Sequence, residues 1–223
     1  MQCSHDYLNR SCRRRTEGEN LSAAELLLPV SAFRYDEEMN RWFPLETERL
    51  LLREMRADDE TAVHEYAADT EVVRLMIWGP NTREATREFL ARAVDAQAQW
   101  PRPSVGLAIE LKSERRMIGS IELRINDEAN RTADFGYVLN RNYWGHGYMT
   151  ESARAVLNVA FNELKMHRVW ATCHAQNRAS YRVMEKLGMR REGLFLKNAM
   201  EKGEWRDTYL YAVLAEEWLG APQ

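Results

Sequence analysis

The sequence predicts an α/β (α+β) fold: one mixed, mostly antiparallel sheet flanked by helices. Three observations carry this expectation. Residues 105–111 (VGLAIEL), 117–125 (MIGSIELRI) and 133–139 (ADFGYVL) are apolar, strand-like runs joined by short polar turns, the pattern of an antiparallel meander. Residues 150–164 place Ala153, Val156, Leu157, Ala160, Phe161 and Leu164 on one helical stripe. The element order, β, α, α, β, β, β, α, β, α, β, β, departs from the regular strand–helix alternation of a doubly wound dinucleotide fold.

Residues 1–44 stand apart as a partly disordered N-terminal extension, with the folded domain over 45–223. The first twenty residues mix polar and charged types with no apolar period. Ser22 and Glu25 have capping-box spacing, but Pro29 ends any helix there almost at once. Arg13–Arg15 precede a short apolar run, yet Glu17, Glu19 and Glu25 interrupt the pattern of an export signal. Residues 49–55 read as a strand and 58–68 as a helix with acidic residues in its first turn. Asn81 with Glu84 marks a second helix start, and Phe89, Leu90 and Val94 continue its apolar face to about Gln99. After the meander and the long helix come a strand at 167–174 and a helix at 177–187. Asn177 is its N-cap and Gly188 its C′ residue. Residues 190–200 and 205–214 form a closing hairpin.

The chain has 223 residues, 45% apolar and 29% charged, enough to bury a core without a disulfide or metal staple. A formal net charge of −3 argues against a basic nucleic-acid binder. No apolar run approaches the ~18 residues of a membrane span. Cys3, Cys12 and Cys173 are odd in number and not spaced as a framework, so reduced thiols and a cytoplasmic location are expected. Cys3, His5 and Cys12 lack further ligands at metal-site spacing, and no metal is expected.

The chemical signal lies in Gly145, His146, Gly147, Tyr148, Met149 and Thr150, between a strand and a helix. A helix N-terminus carries unpaired N–H groups and partial positive charge, so it suits an anion. Two glycines let the backbone approach that anion without Cβ clashes. The loop lacks the Gly-Lys-Ser/Thr ending of a nucleotide P-loop. It also lacks the third glycine and downstream acid of a dinucleotide site. A tight turn without ligand has the same spacing.

Four segments in order carry a resemblance: 45–53 (LETERLLLR), 133–151 (ADFGYVLNRNYWGHGYMTE), 177–188 (NRASYRVMEKLG) and 203–211 (GEWRDTYLY). Together they resemble the GCN5-related N-acetyltransferase (GNAT) superfamily, and within it the ribosomal-protein alanine N-acetyltransferases. The resemblance implies a sheet splayed between its fourth and fifth strands, where acetyl-CoA enters. It implies that backbone groups of Val138 and Leu139 meet the pantetheine arm. It also implies that N–H groups from Gly145 to Thr150 hold the pyrophosphate, with Asn177 and Ser180 near the thioester. Trp144 stands at the first place of the superfamily's loop motif. Met149 replaces a small residue there, which would narrow the space for pyrophosphate. Many members carry a tyrosine acid where this chain has Met184, which donates no proton.

Acetyl transfer to an amine needs a neutral amine, a stabilised carbonyl oxygen and a departing thiolate. Ser180 is the candidate acid, with helix capping as its alternative role. Glu122 and Asp134 are the candidate bases, acting through water, with Asp207 and Tyr209 as further options and structural pairing as the alternative for each. His146 is expected to act through its backbone. Cys173 and His174 face opposite ways on a strand. Tyr143, Trp144 and Trp205 are candidates to line an acceptor groove, while Trp42, Trp78 and Trp100 read as packing residues. The expected function is acetyl-CoA-dependent N-acetyl transfer to a primary amine, a protein N-terminal α-amine by the branch resemblance. A small-molecule amine acetyltransferase and a non-catalytic CoA-binding module are the alternatives.

Overall fold

The computed structural model describes residues 42–99, 102 and 104–220. The expectations for residues 1–41, including Cys3, His5 and Cys12, and for Trp100 lie outside the described residues. Eight strands form one sheet: β1 (Leu45–Glu46), β2 (Leu50–Glu54), β3 (Ser104–Leu111), β4 (Arg116–Asp127), β5 (Thr132–Leu139), β6 (Arg168–His174), β7 (Arg190–Glu201) and β8 (Glu204–Leu214). Their order is β1-β2-β3-β4-β5-β6-β8-β7, antiparallel except at β5–β6. The α/β architecture and the meander stand as the residue pattern predicted.

Helices α1 (Glu60–Ala67), α2 (Thr70–Val73) and α3 (Arg83–Asp95) precede β3. Helix α4 (Tyr148–Asn158) follows β5, α5 (Arg178–Lys186) follows β6, and α6 (Ala215–Gly220) closes the described chain. Side chains alternate faces along each strand, so the sheet carries two cores. Val63, Tyr66 and Leu90 from α1 and α3 pack with Ala108, Met117 and Val138 on one face. Ala153, Val156 and Leu157 of α4 pack with Ile109, Ile121, Leu123 and Phe135 on the other. The apolar stripe of α4 is thus its buried face.

Some elements differ from the sequence reading. The run at 45–53 is not one strand: Thr47 Oγ1 accepts the Leu50 N–H at 3.0 Å and turns the chain between β1 and β2. Helix α3 is capped by Thr82, whose Oγ1 accepts the Ala85 N–H, while the Asn81 N–H goes to the Ala67 carbonyl at 2.9 Å. The helix expected to run unbroken to Leu164 widens into a π turn at Val159–Glu163. Short α2 and α6 carry too few residues to show a period. No helix among the described residues is long and apolar enough to cross a membrane.

The feature that positions the site is a divergence within the sheet. β5 pairs with β6 only at Thr132–Arg168, Ala133–Val169 and Asp134–Trp170. From Phe135 onward the register between them ends, while β6 continues along β8 as far as His174–Thr208. The splay expected between the fourth and fifth strands of the resemblance lies here.

Candidate active site

The loop from β5 into α4 has the shape of an anion cradle. Gly145 and Gly147 adopt φ of 81° and 82°, the left-handed region that side chains disfavour. Gly147 is the N-cap and supplies no side-chain acceptor. The first helical bond runs from the Glu151 N–H to the Gly147 carbonyl at 3.0 Å. The N–H groups of Tyr148, Met149 and Thr150 therefore precede the helical ladder, at the positive end of the helix dipole.

An ion pair holds this loop from outside. Arg49, in the β1–β2 turn, places Nη2 2.6 Å from Glu151 Oε2 and donates Nη1 to the His146 carbonyl at 3.0 Å. The other Glu151 oxygen accepts from Thr47 Oγ1 at 2.6 Å and from the Arg49 N–H at 3.0 Å. Burial works to raise the Glu151 pKa, and the hydrogen bonds from Thr47 and Arg49 outweigh it, so the carboxyl is held below its ordinary value. The Arg49 guanidinium also lies 4.6 Å from the Tyr148 ring centroid, and the His146 ring stacks on Tyr148. His146 thus meets its neighbours through both carbonyl and ring. Met149 points into the core and is 6% exposed, so its side chain leaves the space in front of the loop open.

The edge of β5 facing the gap is set by register. Asn140 donates its N–H to the Ile118 carbonyl at 2.8 Å, and Leu139 stands opposite Gly119. Gly119–Leu139 is then a non-hydrogen-bonded pair and Ser120–Val138 a hydrogen-bonded one. Leu139, and by alternation Tyr137, turn their backbone groups to the gap. Val138, expected beside Leu139 as a pantetheine contact, turns its groups to β4 instead. Trp144 folds back on this edge, its Nε1 donating to the Leu139 carbonyl at 2.8 Å.

Helix α5 brings Asn177 and Ser180 to the same gap. Asn177 Oδ1 accepts the Ser180 N–H at 3.1 Å, so Asn177 is the cap that its position predicts. The Ser180 hydroxyl lies 3.1 Å from Tyr137 Oη, which donates to the Ser180 carbonyl at 2.9 Å. Burial pushes the neighbouring Cys173 thiol up to about 11, with a hydrogen bond from Ser180 opposing. Met184 is fully buried.

The candidate bases fall into different environments. Asp134 is buried, and Arg124 and Asn126 hold its carboxylate. Arg124 also pairs with Glu122 at 2.7 Å. Burial works to lower the Arg124 pKa, and the two carboxylates outweigh it and hold it above its ordinary value. Both carboxylates thus share Arg124, but Asp134 is buried in that ion pair, while the Glu122 side chain is 42% exposed and also meets water. Asp207 accepts the Lys197 N–H across the irregular stretch of β7, and Tyr209 packs against Tyr181, Tyr211 and Arg191. Neither is brought to the gap by these contacts. His174 Nδ1 accepts the Gln176 N–H, on the face opposite the buried Cys173. Burial, with Arg206 beside it, lowers the His174 pKa. Tyr143 donates to Glu114 at 2.6 Å, and Trp205 is 59% exposed. Among the described residues, no group of three or more His, Cys, Asp or Glu is placed to hold a metal ion.

Tyr137, Arg49 and Glu151 escaped sequence reasoning as site residues. Tyr137 had a signal, since it lies two residues after Phe135 on a strand and shares its face. Arg49 and Glu151 meet across 102 residues, which no local pattern reports.

The acetyltransferase (GNAT) domain family matches residues 49–190. YnaD of Bacillus subtilis (strain 168), named an uncharacterised N-acetyltransferase, is 39% identical over 172 residues, covering 77% of this chain and 97% of that protein. YdaF of the same organism, provisionally named a ribosomal N-acetyltransferase, is 30% identical over 115 residues, covering 52% of this chain and 63% of that protein. The crystal structure of a GNAT-family acetyltransferase from Bacillus anthracis superposes with a TM-score of 0.69 at 39% identity, covering 78% of this chain and 99% of that one. With its splayed sheet and glycine-bounded helix start, the chain belongs to the GNAT family and is an N-acetyltransferase that uses acetyl-CoA.

Proposed function

We propose that the chain acetylates the α-amine of a protein N-terminus and that the β5–β6 gap is its active site. The observation that carries the site is convergence: the uncapped start of α4, the Leu139 edge that β6 leaves unpaired and the Ser180 hydroxyl all belong to the elements bounding one gap. The residues present fit acetyl-CoA. N–H groups from Gly145 to Thr150 would hold the pyrophosphate, the Leu139 edge would pair with the pantetheine arm, and Asn177 would keep Ser180 at the start of α5. Acetyl-CoA, when bound, supplies the acetyl group as an activated thioester.

In this reading, Ser180 donates a hydrogen bond to the departing sulfur, and Glu122 takes the amine proton through water. A thiol of pKa about 8.5 is a fair leaving group, so a weak donor such as serine suffices. An α-amine of pKa about 8 is partly neutral near pH 7, so a solvated carboxylate is enough for its proton. A lysine amine near 10.4 would need a stronger base than the gap provides. The N-terminal acceptor is further supported by the resemblance at 177–188, where the ribosomal-protein branch carries a serine at the place of Ser180, and by the name of YdaF.

The test is a turnover assay with acetyl-CoA and two acceptor panels, peptides with free N-termini and small amines such as spermidine and amino acids. The reading expects peptide kcat/KM at least about tenfold above that of any small amine. The reverse ranking makes the enzyme a small-molecule acetyltransferase. Binding without turnover on either panel makes it a CoA-binding module.

A further inference from the structure

We infer that Tyr137 is the positioning residue for Ser180, an inference that rests on the reading of Ser180 as the hydrogen-bond donor to the departing sulfur. Tyr137 stands on β5 opposite Ile121, and its ring lies 5.7 Å from that of Phe135. Its hydroxyl meets the first turn of α5, a helix that follows the strand on the far side of the gap. The bond to the Ser180 carbonyl at 2.9 Å uses the single proton of the phenol. Ser180 Oγ lies 3.1 Å from the same phenol oxygen, whose lone pairs fix the serine rotamer before reaction, and the serine's single proton turns from the phenol to the sulfur as the thiolate departs.

Two further facts separate positioning from proton transfer. Burial pushes the Tyr137 phenol up, so it stays protonated over the working range and does not supply the proton. The Cys173 thiol, at about 11, stays neutral and competes only weakly for the serine. The two hydrogen bonds also tie α5 to β5 where strand pairing has ended.

The experiment is a double-mutant cycle of Tyr137→Phe and Ser180→Ala, with kcat, the KM for acetyl-CoA and the pH profile measured for each protein. Tyr137→Phe keeps every ring carbon and removes both hydrogen bonds. It is expected to lower kcat about tenfold, leave KM within about twofold and leave the limbs of the pH profile in place. In the Ser180→Ala background it is expected to change kcat less than about twofold. Multiplying effects, a normal Tyr137→Phe enzyme or a shifted alkaline limb would overturn the positioning role and leave Ser180 as read. A normal Ser180→Ala enzyme would remove Ser180 from the reaction and Tyr137 with it. If Tyr137→Phe fails to fold, Ser180→Thr serves instead: its added methyl group fights the held rotamer, so kcat must fall with KM retained, and an unchanged kcat overturns the role.

Discussion

Arg49 and Glu151 meet at 2.6 Å and join the first hairpin of the sheet to the first turn of α4. The pair does two things. It neutralises a carboxylate that would otherwise repel an anion at the helix start, and it holds the His146 carbonyl, and with it the loop backbone, in place. Glu151→Gln is expected to raise the KM for acetyl-CoA about five- to tenfold and to change kcat less than twofold. Steady-state kinetics at varied acetyl-CoA check this, and an unchanged KM would reduce the pair to surface decoration.

The same carboxylate makes a pH prediction. Its folded pKa lies below the ordinary value of 4.5, so the folded state binds fewer protons there than the unfolded one. Its contribution to stability is complete above that value and is lost as pH falls through the folded pKa. Urea unfolding of wild type and Glu151→Gln at pH 7 and at pH 3 tests the sign. The gap between the two proteins should be wider at pH 7 and shrink at pH 3, and a gap that widens in acid contradicts the assignment.

Asp134 and Glu122 make opposite predictions. Asp134→Asn leaves Arg124 short of one partner in a partly buried place, so stability should fall by about 2 kcal/mol while kcat stays within about threefold. Glu122→Gln should lower kcat about tenfold for a peptide acceptor, most of all at low pH where less amine is neutral, with little change in stability. Denaturant midpoints and pH–rate profiles separate the two. A dead but stable Asp134→Asn enzyme would hand the base role to Asp134.

Gly119 is required by the same close pair that sets the β5 edge. A Cβ there would lie 2.3 Å from the Val138 carbonyl oxygen, a backbone atom that cannot swing away. Gly119→Ala should cost about 1–3 kcal/mol and weaken acetyl-CoA, because the shift passes directly to Leu139. A thermal melt together with a binding titration checks both effects.

The parts legible in sequence are those governed by local rules. The stripe on α4, the meander of β3, β4 and β5, the Asn177 cap and the positive-φ glycines all follow from periodicity or backbone sterics within a few residues. Local patterns say least where a residue's role depends on what lies opposite. Val138 and Leu139 could be distinguished only once Gly119 was known to face Leu139. Asp134 has the residue type of a base, but Arg124 and Asn126 on the neighbouring strand hold its carboxylate. Tyr137 gains its place because the β5–β6 pairing stops at Asp134 and leaves its ring beside α5.

In the proposed function, acetyl-CoA binds at the start of α4 and along the adjoining edge of β5. Calorimetric titration of acetyl-CoA into wild type and Gly147→Val tests it directly. Gly147 has φ of 82°, and the nearest atom to an added Cβ is Arg49 Nη2 at an ordinary 3.6 Å, so the valine is strained by its backbone and not by crowding. Wild type is expected to bind one equivalent and the variant to bind at least tenfold more weakly, with its fold retained by circular dichroism. Equal affinity in the two proteins, or no binding by wild type, would contradict it.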